Sequence, residues 1–522
     1  MEKIYLFIEK ISVKFVLTFC FLTGALFAFW AGTTSNVFPA DYVQEIAIET
    51  PDSILVNILA WMGGMAAIWA AWKIISLGTR DNEEKLQKRL HIMMISLCVL
   101  LGIALSVWIN LAHYTPIADQ YSVYTDTLKL SGGDYSTFEV GGYAYHYPYQ
   151  LNMTFVFQIL FSVFHTQNYK VIQYLNIVSI LLTIYFGYRI LKEVTKKPEA
   201  QVCYMMFGFT FIPLFLYSQF VYGDVISVAM ASIAIWSLMR WCDTKKVRYG
   251  VIAVLALVLG IWMRINVYVV VVAICIGLLY HAVKKKCWRT LLLMVLCVAI
   301  PWGSTQLIKV YYESKSGMEV SRGLPMSYLL HNAMQEAPNG PGSFNLQLFL
   351  DYGTIAGYDY DYYDLINRAA MKRRLQDFMA TPSAIPKFYR SKILLQWNDY
   401  TFSSADATHT VYDQMSDVEW SVYYGSIKRR CDWYMDRYLF IIYLSFAVGA
   451  LVLWRKKREL YHYIPLITVI GGVLYSILIE SKGRYVMPYV ILMQPFAAIG
   501  LGKMICWLEE KRIQVSRKFF LK

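Results

Sequence analysis

Charge is what this sequence has least of. Only 16% of its 522 residues are Asp, Glu, Lys or Arg, against about 25% in an ordinary soluble domain. Hydrophobic residues make up 57%. The deficit excludes a water-soluble chain and comes from many apolar runs of roughly 17–25 residues, each long enough to cross a bilayer. No short apolar segment ends in a small-residue cleavage site, so the first run reads as an uncleaved anchor. The nine cysteines have no spacing typical of a metal site or a disulfide framework. Cys20, Cys98, Cys203, Cys275, Cys297 and Cys506 lie in or beside apolar runs and read as small membrane-core residues. There is no clear internal repeat, which disfavours a transporter. Acid is scarcer than base, 36 residues against 49 for a net charge of +13. That excess falls in short loops between apolar runs, the positive-inside pattern of a membrane protein rather than a nucleic-acid footprint.

Hydropathy and loop charge together set out the chain. Spans are expected over 12–31, 53–77 and 91–112, with an acidic outer loop holding Asp41, Glu45, Glu49 and Asp52 and an inner loop from Arg80 to Arg89. The run Leu151–Phe164 is short, and parity makes it a partial helix that lies along the outer interface or dips in and returns. Further spans fall near 170–188, 201–220, 225–241 and 290–308. Gly250–Met263 and Val267–Val283 form two short runs split by Arg264-Ile265-Asn266. Three more spans close the chain near 437–454, 462–479 and 486–505. The count is about twelve crossings with both termini inside. Residues 309–434 lack a long apolar run and read as a mainly helical extracytoplasmic segment, with helices over Met326–Met334, Asp361–Met379 and Ile385–Trp397 and a turn at Pro338–Gly342. The division is thus 1–308, 309–434 and 435–522, with an outer loop at 113–150 in the first part.

Four separated stretches then share one surface: Asp119-Gln120, Gly223-Asp224, Arg264 to Asn266, and Glu480 to Tyr485. Ionisable groups near membrane depth are costly and suggest function by default. A carboxylate such as Asp119 can take a proton as a general base; it can equally cap a helix starting at Gln120. Arginine suits a phosphate because it stays charged and bonds two oxygens at once. Arg484 is the first candidate for that role and Arg264 the second, with an ion pair to Asp224 as the plainer reading of Arg264. Asp224 could position an acceptor, Glu480 could pair with Arg484, and Lys482 could snorkel. His146 could move a proton or sit at headgroup level. Tyr143, Tyr145, Tyr147 and Tyr149 could stack on sugars or form an aromatic belt. Asp126 reads as a solvated helix face, Asp134 as a turn, and Asp359-Tyr360-Asp361 as a helix start rather than a metal site.

These motifs carry a resemblance. An acid in the first large outer loop, Tyr147-Pro148 opening a helix, Gly223-Asp224, and Glu480 with Arg484, Tyr485 and Pro488 look like GT-C membrane glycosyltransferases. The chain is most similar to the protein O-mannosyltransferase and aminoarabinose transferase type, over roughly residues 90–500. It departs in having two extra spans before the acidic loop, and Gln120 where such mannosyltransferases carry a second acid. The resemblance implies an all-α polytopic fold and transfer of a sugar from a polyprenyl-phosphate carrier to an acceptor hydroxyl on the outer face. It implies catalytic roles for Asp119 and Asp224. Substrate-binding roles fall to Arg264, Asn266, Glu480, Arg484, Tyr485, Tyr147, Gln150 and His146. No metal or other cofactor is expected. The acceptor (glycan, lipid or protein) is left open, and a bacterial cytoplasmic membrane is the expected location. A polysaccharide polymerase or ligase using diphosphate-linked glycans, or a transporter, are the competing readings.

Overall fold

A computed structural model describes residues 2–37, 47–78, 82–409 and 415–520. Asp41, Glu45 and Arg80, read above as loop charges, lie outside these. Among the described residues, ten helices are long and apolar enough to cross a membrane. A bent pair, Pro198–Gly208 and Ile212–Gln219, and the shorter helix Val247–Met263 bring the set to the twelve expected. The pair is bent by 53°. Its second half restarts with Pro213 in the first turn, where a missing N–H costs nothing. The helix Leu151–Val163 has 13 residues and rises about 20 Å, well short of a hydrocarbon core of about 30 Å. It is a partial helix, as its length implied.

Burial separates the bundle into centre and rim. The apolar window of Asp224–Thr244 is 83% buried and that of Gly483–Glu510 78%, against 17% for Ile54–Ser76 and 22% for Trp288–Ser316. The rim helices turn large apolar side chains such as Leu100, Ile103, Trp302 and Leu307 outward. That surface suits lipid. The centre is built on small residues. A Cβ on Gly449 would meet the Phe496 carbonyl oxygen at 2.1 Å, and one on Gly500 the Ser445 carbonyl oxygen at 2.0 Å. Helices Ser426–Trp454 and Gly483–Phe520 therefore cross backbone to backbone, the packing that small residues permit between membrane helices. Asp224–Thr244 also has small residues, Ser227, Ala231, Ser232 and Ala234, among its buried positions.

The expected break at Arg264 is present. Helix Val247–Met263 ends there, Arg264 is extended, and a short 3-10 turn over Ile265–Val267 leads into helix Tyr268–Lys285. The basic loops gather at the other end of the bundle. Lys284 bonds both Glu9 at 2.8 Å and Glu459 at 3.1 Å, and Gln87 donates to the Lys196 carbonyl at 3.0 Å.

Helices Trp288–Ser316 and Ser426–Trp454 run unbroken through positions 308 and 434. Between them, helices fall at Met326–Met334, Tyr360–Ala380 and Ala384–Trp397, within one residue of the expected bounds. Asp359 caps the second, accepting from the Tyr362 amide at 2.9 Å, and Asp361 pairs with Arg322 at 3.1 Å. The turn at Pro338–Gly342 closes a two-residue hairpin, Glu336–Ala337 against Gly340–Pro341. A helix over Leu346–Thr354 and a hairpin of Thr34–Val37 with Ile48–Pro51 were not foreseen. Asp126 is a correction. It is buried rather than solvated, because helix Ala118–Ser131 turns it inward with Val123 and Thr127, where the Thr137 hydroxyl donates to it at 2.6 Å. Asp134 does sit in a turn, accepting from the Ser136 amide at 2.9 Å.

Candidate active site

Asp119 is set by a strained step in the backbone. Ala118 lies in the left-handed region at φ 49°, where a side chain is disfavoured. Helix Ala118–Ser131 follows, with Ile117 at its cap and no side-chain cap bond. Asp119 is therefore inside the first turn and does not cap the helix. Its side chain is 43% exposed, and Oδ2 stands 3.6 Å from Nη2 of Arg484. Gln120 turns the other way and is buried. It accepts from the Tyr114 hydroxyl and from the Val221 amide at 2.9 Å, and donates to the Ala407 carbonyl at 2.8 Å. The residue that departs from the mannosyltransferase pattern ties three segments together and leaves Asp119 as the forward-facing acid.

Gly223 brings in the second acid. A Cβ there would lie 2.4 Å from the Met263 carbonyl oxygen. Only glycine lets the start of helix Asp224–Thr244 touch the chain just before Arg264. Asp224 Oδ2 is then 3.7 Å from Arg264 Nε, with Asp224 buried and the Arg264 side chain 11% exposed. Gly483 plays the same part for Arg484. A Cβ on it would meet Asp399 Oδ2 at 1.9 Å, and Asp399 also accepts from the Thr401 and Ser403 amides, both at 2.8 Å. Arg484 thus leaves the first turn of the last helix at a fixed point.

The two guanidiniums share aromatic neighbours. Tyr222 lies 5.1 Å from Arg264 and 5.6 Å from Arg484, and Tyr485 lies 5.7 Å and 5.2 Å from them, each measured to the ring centre. Phe220 adds a contact to Arg484 at 5.8 Å. Ring faces attract guanidiniums without using their N–H donors. The pairs with Asp119 and Asp224, at 3.6 Å and 3.7 Å, are too long for good hydrogen bonds. Nε of Arg484 and Oδ2 of Asp224 are buried with no hydrogen-bond partner. Arginine carries five donors in a fixed fork, so this arrangement holds charge in place while leaving donors for an anion.

The remaining expected residues divide. Gln150 donates to the Tyr222 hydroxyl and so braces the ring between the arginines. Asn266 accepts from the Tyr475 hydroxyl at 2.9 Å, a link between helices. Glu480 and Lys482 lie on the loop before Arg484, which is held from outside the bundle. The Ser481 amide donates to the Gly342 carbonyl at 2.7 Å, and the Lys392 ammonium donates to the Ile479 carbonyl at 2.8 Å and to Ala333. Tyr147 stacks on Phe349, with planes 4° apart and centres 6.1 Å apart. His146 is buried among Phe349, Tyr352 and Tyr358, and burial lowers its pKa. It packs under the 309–434 segment. Tyr149 stays 42% exposed.

Tyr222 and Lys392 were not singled out in the sequence. Tyr222 directly precedes Gly223-Asp224, so its neighbours were the available signal; Lys392 had none. Among the described residues no cluster of His, Cys, Asp or Glu is placed to hold a metal ion.

Residues 151–304 match the family model of dolichyl-phosphate-mannose-protein mannosyltransferases. That span includes Asp224 and Arg264, begins after Asp119 and ends before Arg484. No curated protein sequence matches the chain. Two structures of the Archaeoglobus fulgidus oligosaccharyltransferase resemble it at 12% identity. For the one tethered to an acceptor peptide with the NVT sequon, the TM-score is 0.38, over 78% of this chain and 49% of that one. For the apo form the TM-score is 0.41, over 81% and 52%. The chain spans about half the length of those proteins.

Proposed function

Taking a GT-C membrane glycosyltransferase as the premise, the class that the family match supports, we propose that this chain moves a sugar from a polyprenyl-phosphate carrier to an acceptor hydroxyl on the outer face of the membrane. The observation that carries the reading is a half-exposed carboxylate facing a buried arginine across 3.6 Å, with a second arginine beside the same tyrosine ring. Acid and cation are the two things such a transfer needs.

In the step, the acceptor oxygen attacks the anomeric carbon and its proton passes to the Asp119 carboxylate. The bond from that carbon to the phosphate oxygen breaks, and the electron pair leaves with the polyprenyl phosphate. Arg484 and Arg264 stabilise the charge that builds on that phosphate, where fixed donors in a water-poor site act most strongly. Asp224 holds Arg264 in line. The 309–434 segment, lying over Tyr145 to Gln150 through Phe349 and through the Leu324 amide, which donates to the His146 carbonyl at 3.1 Å, closes the site and selects the acceptor.

The test is transfer of label from a panel of polyprenyl-phosphate sugars to an envelope extract, in membranes carrying wild type or Asp119→Asn. A labelled product with wild type, reduced by about 10²–10⁴-fold in the variant, is the expected result. Transfer only from diphosphate-linked oligosaccharides would replace this reading with that of a polymerase or ligase.

A further inference from the structure

The bundle holds a second pocket, at the end where the basic loops gather. Its volume is about 870 Å³. Its floor is apolar, with Phe21, Val448, Leu451, Val452 and Ile499 from three membrane helices. Its rim carries Lys197, Arg455, Lys456 and Lys503. Among the described residues, none of these four side chains has an ion pair. Some other cations at this end are paired, Lys73 with Glu509, Arg240 with Glu193 and Lys284 with Glu9. The rim also includes Glu199 and Glu510, and Oε2 of Glu199 is buried with no hydrogen-bond partner. Helix Pro198–Gly208 starts in the pocket, with Lys197 at its cap and no side-chain cap bond, so its first amides add positive potential.

We propose that this pocket binds an anionic glycerophospholipid whose headgroup carries free hydroxyls. Four cations against two carboxylates leave an excess of two positive charges, which favours a net anion over a zwitterion. The phosphate sits on the rim lysines and Arg455. A headgroup hydroxyl donates to the orphaned Oε2 of Glu199. An acyl chain lies along the apolar floor, which a free phosphate could not use. The pocket joins the first helix, helix Pro198–Gly208 and the two helices that cross at Gly449 and Gly500. A lipid there clamps the inner end of the helix that bears Arg484 at its other end. Basic pockets between membrane helices are a known way to hold acidic headgroups.

The experiment uses the full chain in micelles and counts bound lipid by native mass spectrometry. Phosphatidylglycerol, phosphatidylethanolamine and glycerol phosphate are titrated against wild type. Retention of phosphatidylglycerol about five-fold or more above phosphatidylethanolamine is expected, with no displacement by glycerol phosphate at equal concentration. Each of Arg455→Ser, Lys456→Ser and Lys503→Ser should weaken that retention by about five-fold, the value of one cation near a charged lipid surface. Lys286→Ser, outside the pocket at the same end, should leave it unchanged. Equal retention of the two lipids by wild type overturns the proposal without reference to any variant. So does displacement by glycerol phosphate, or a loss that Lys286→Ser reproduces.

Discussion

A single ring controls two cations in this site. Tyr222 lies between Arg264 and Arg484, and its hydroxyl is held by Gln150. A desolvated cation–π contact is worth about 2 kcal/mol. Tyr222→Phe keeps both faces and should retain most transfer; Tyr222→Leu removes them and should lower it by a further ten-fold or so. Labelled-sugar transfer at fixed protein separates the two, and equal loss in both would assign the effect to the hydroxyl. Arg484→Ala should weaken donor binding by about 10–100-fold, the worth of a hydrogen bond to a charged group. Arg484→Lys should not restore it, because an ammonium lacks the planar fork. Donor binding in micelles checks both, and unchanged affinity would remove Arg484 from the phosphate.

Elements bring these residues together through close contacts that one atom would spoil. Gly223 and Gly483 are such points, each backed by an oxygen within bonding distance of a would-be Cβ. The loop before Arg484 depends instead on Lys392, fully buried on helix Ala384–Trp397. Burial pushes its ammonium down from 10.5 to about 7. Between those values the unfolded chain holds a proton that the folded chain does not. Stability therefore rises with pH from about 7 to about 10.5 and gains nothing from this group below that window. Thermal unfolding across that range should show the rise in wild type. In Lys392→Met the contribution should vanish, with a lower midpoint throughout, because the buried Ala333 carbonyl and the part-buried Ile479 carbonyl lose their donor.

At the scale of the whole molecule, the four charged stretches lie at one end and the basic loops at the other. The proposed outward-facing site rests on the positive-inside rule, under which the end with the basic loops lies inside. Glu139 is exposed beside the first and Arg458 beside the second. A membrane-impermeant thiol reagent added to intact cells should label Glu139→Cys above the background of the parent chain, and Arg458→Cys only after lysis. The reverse pattern would put the site inside.

Much of this was legible without a fold. Apolar length gave the spans, since a helix must satisfy its own backbone in lipid. Parity and loop charge put Asp119, Asp224, Arg264 and Arg484 on one surface, because each span reverses the side. Periodicity gave Met326–Met334 and its two larger neighbours almost to the residue. What could not be read there is what depends on neighbours distant in the chain. Asp126 is polar by type and buried by Thr137 and its surroundings. Gln120 looked like a departure from a catalytic pattern and is a knot between segments 101 and 287 residues away. Asp119 could be a cap or a free acid until the strained Ala118 moved the helix start ahead of it. The sequence by itself determined a many-span helical membrane protein with acids and arginines on one face, because hydrophobicity and charge are properties of residues and short runs. The tertiary structure alone decided which acid meets which arginine, and that one tyrosine stands between them, because those contacts are set by helix crossings and glycine approaches that no local pattern records.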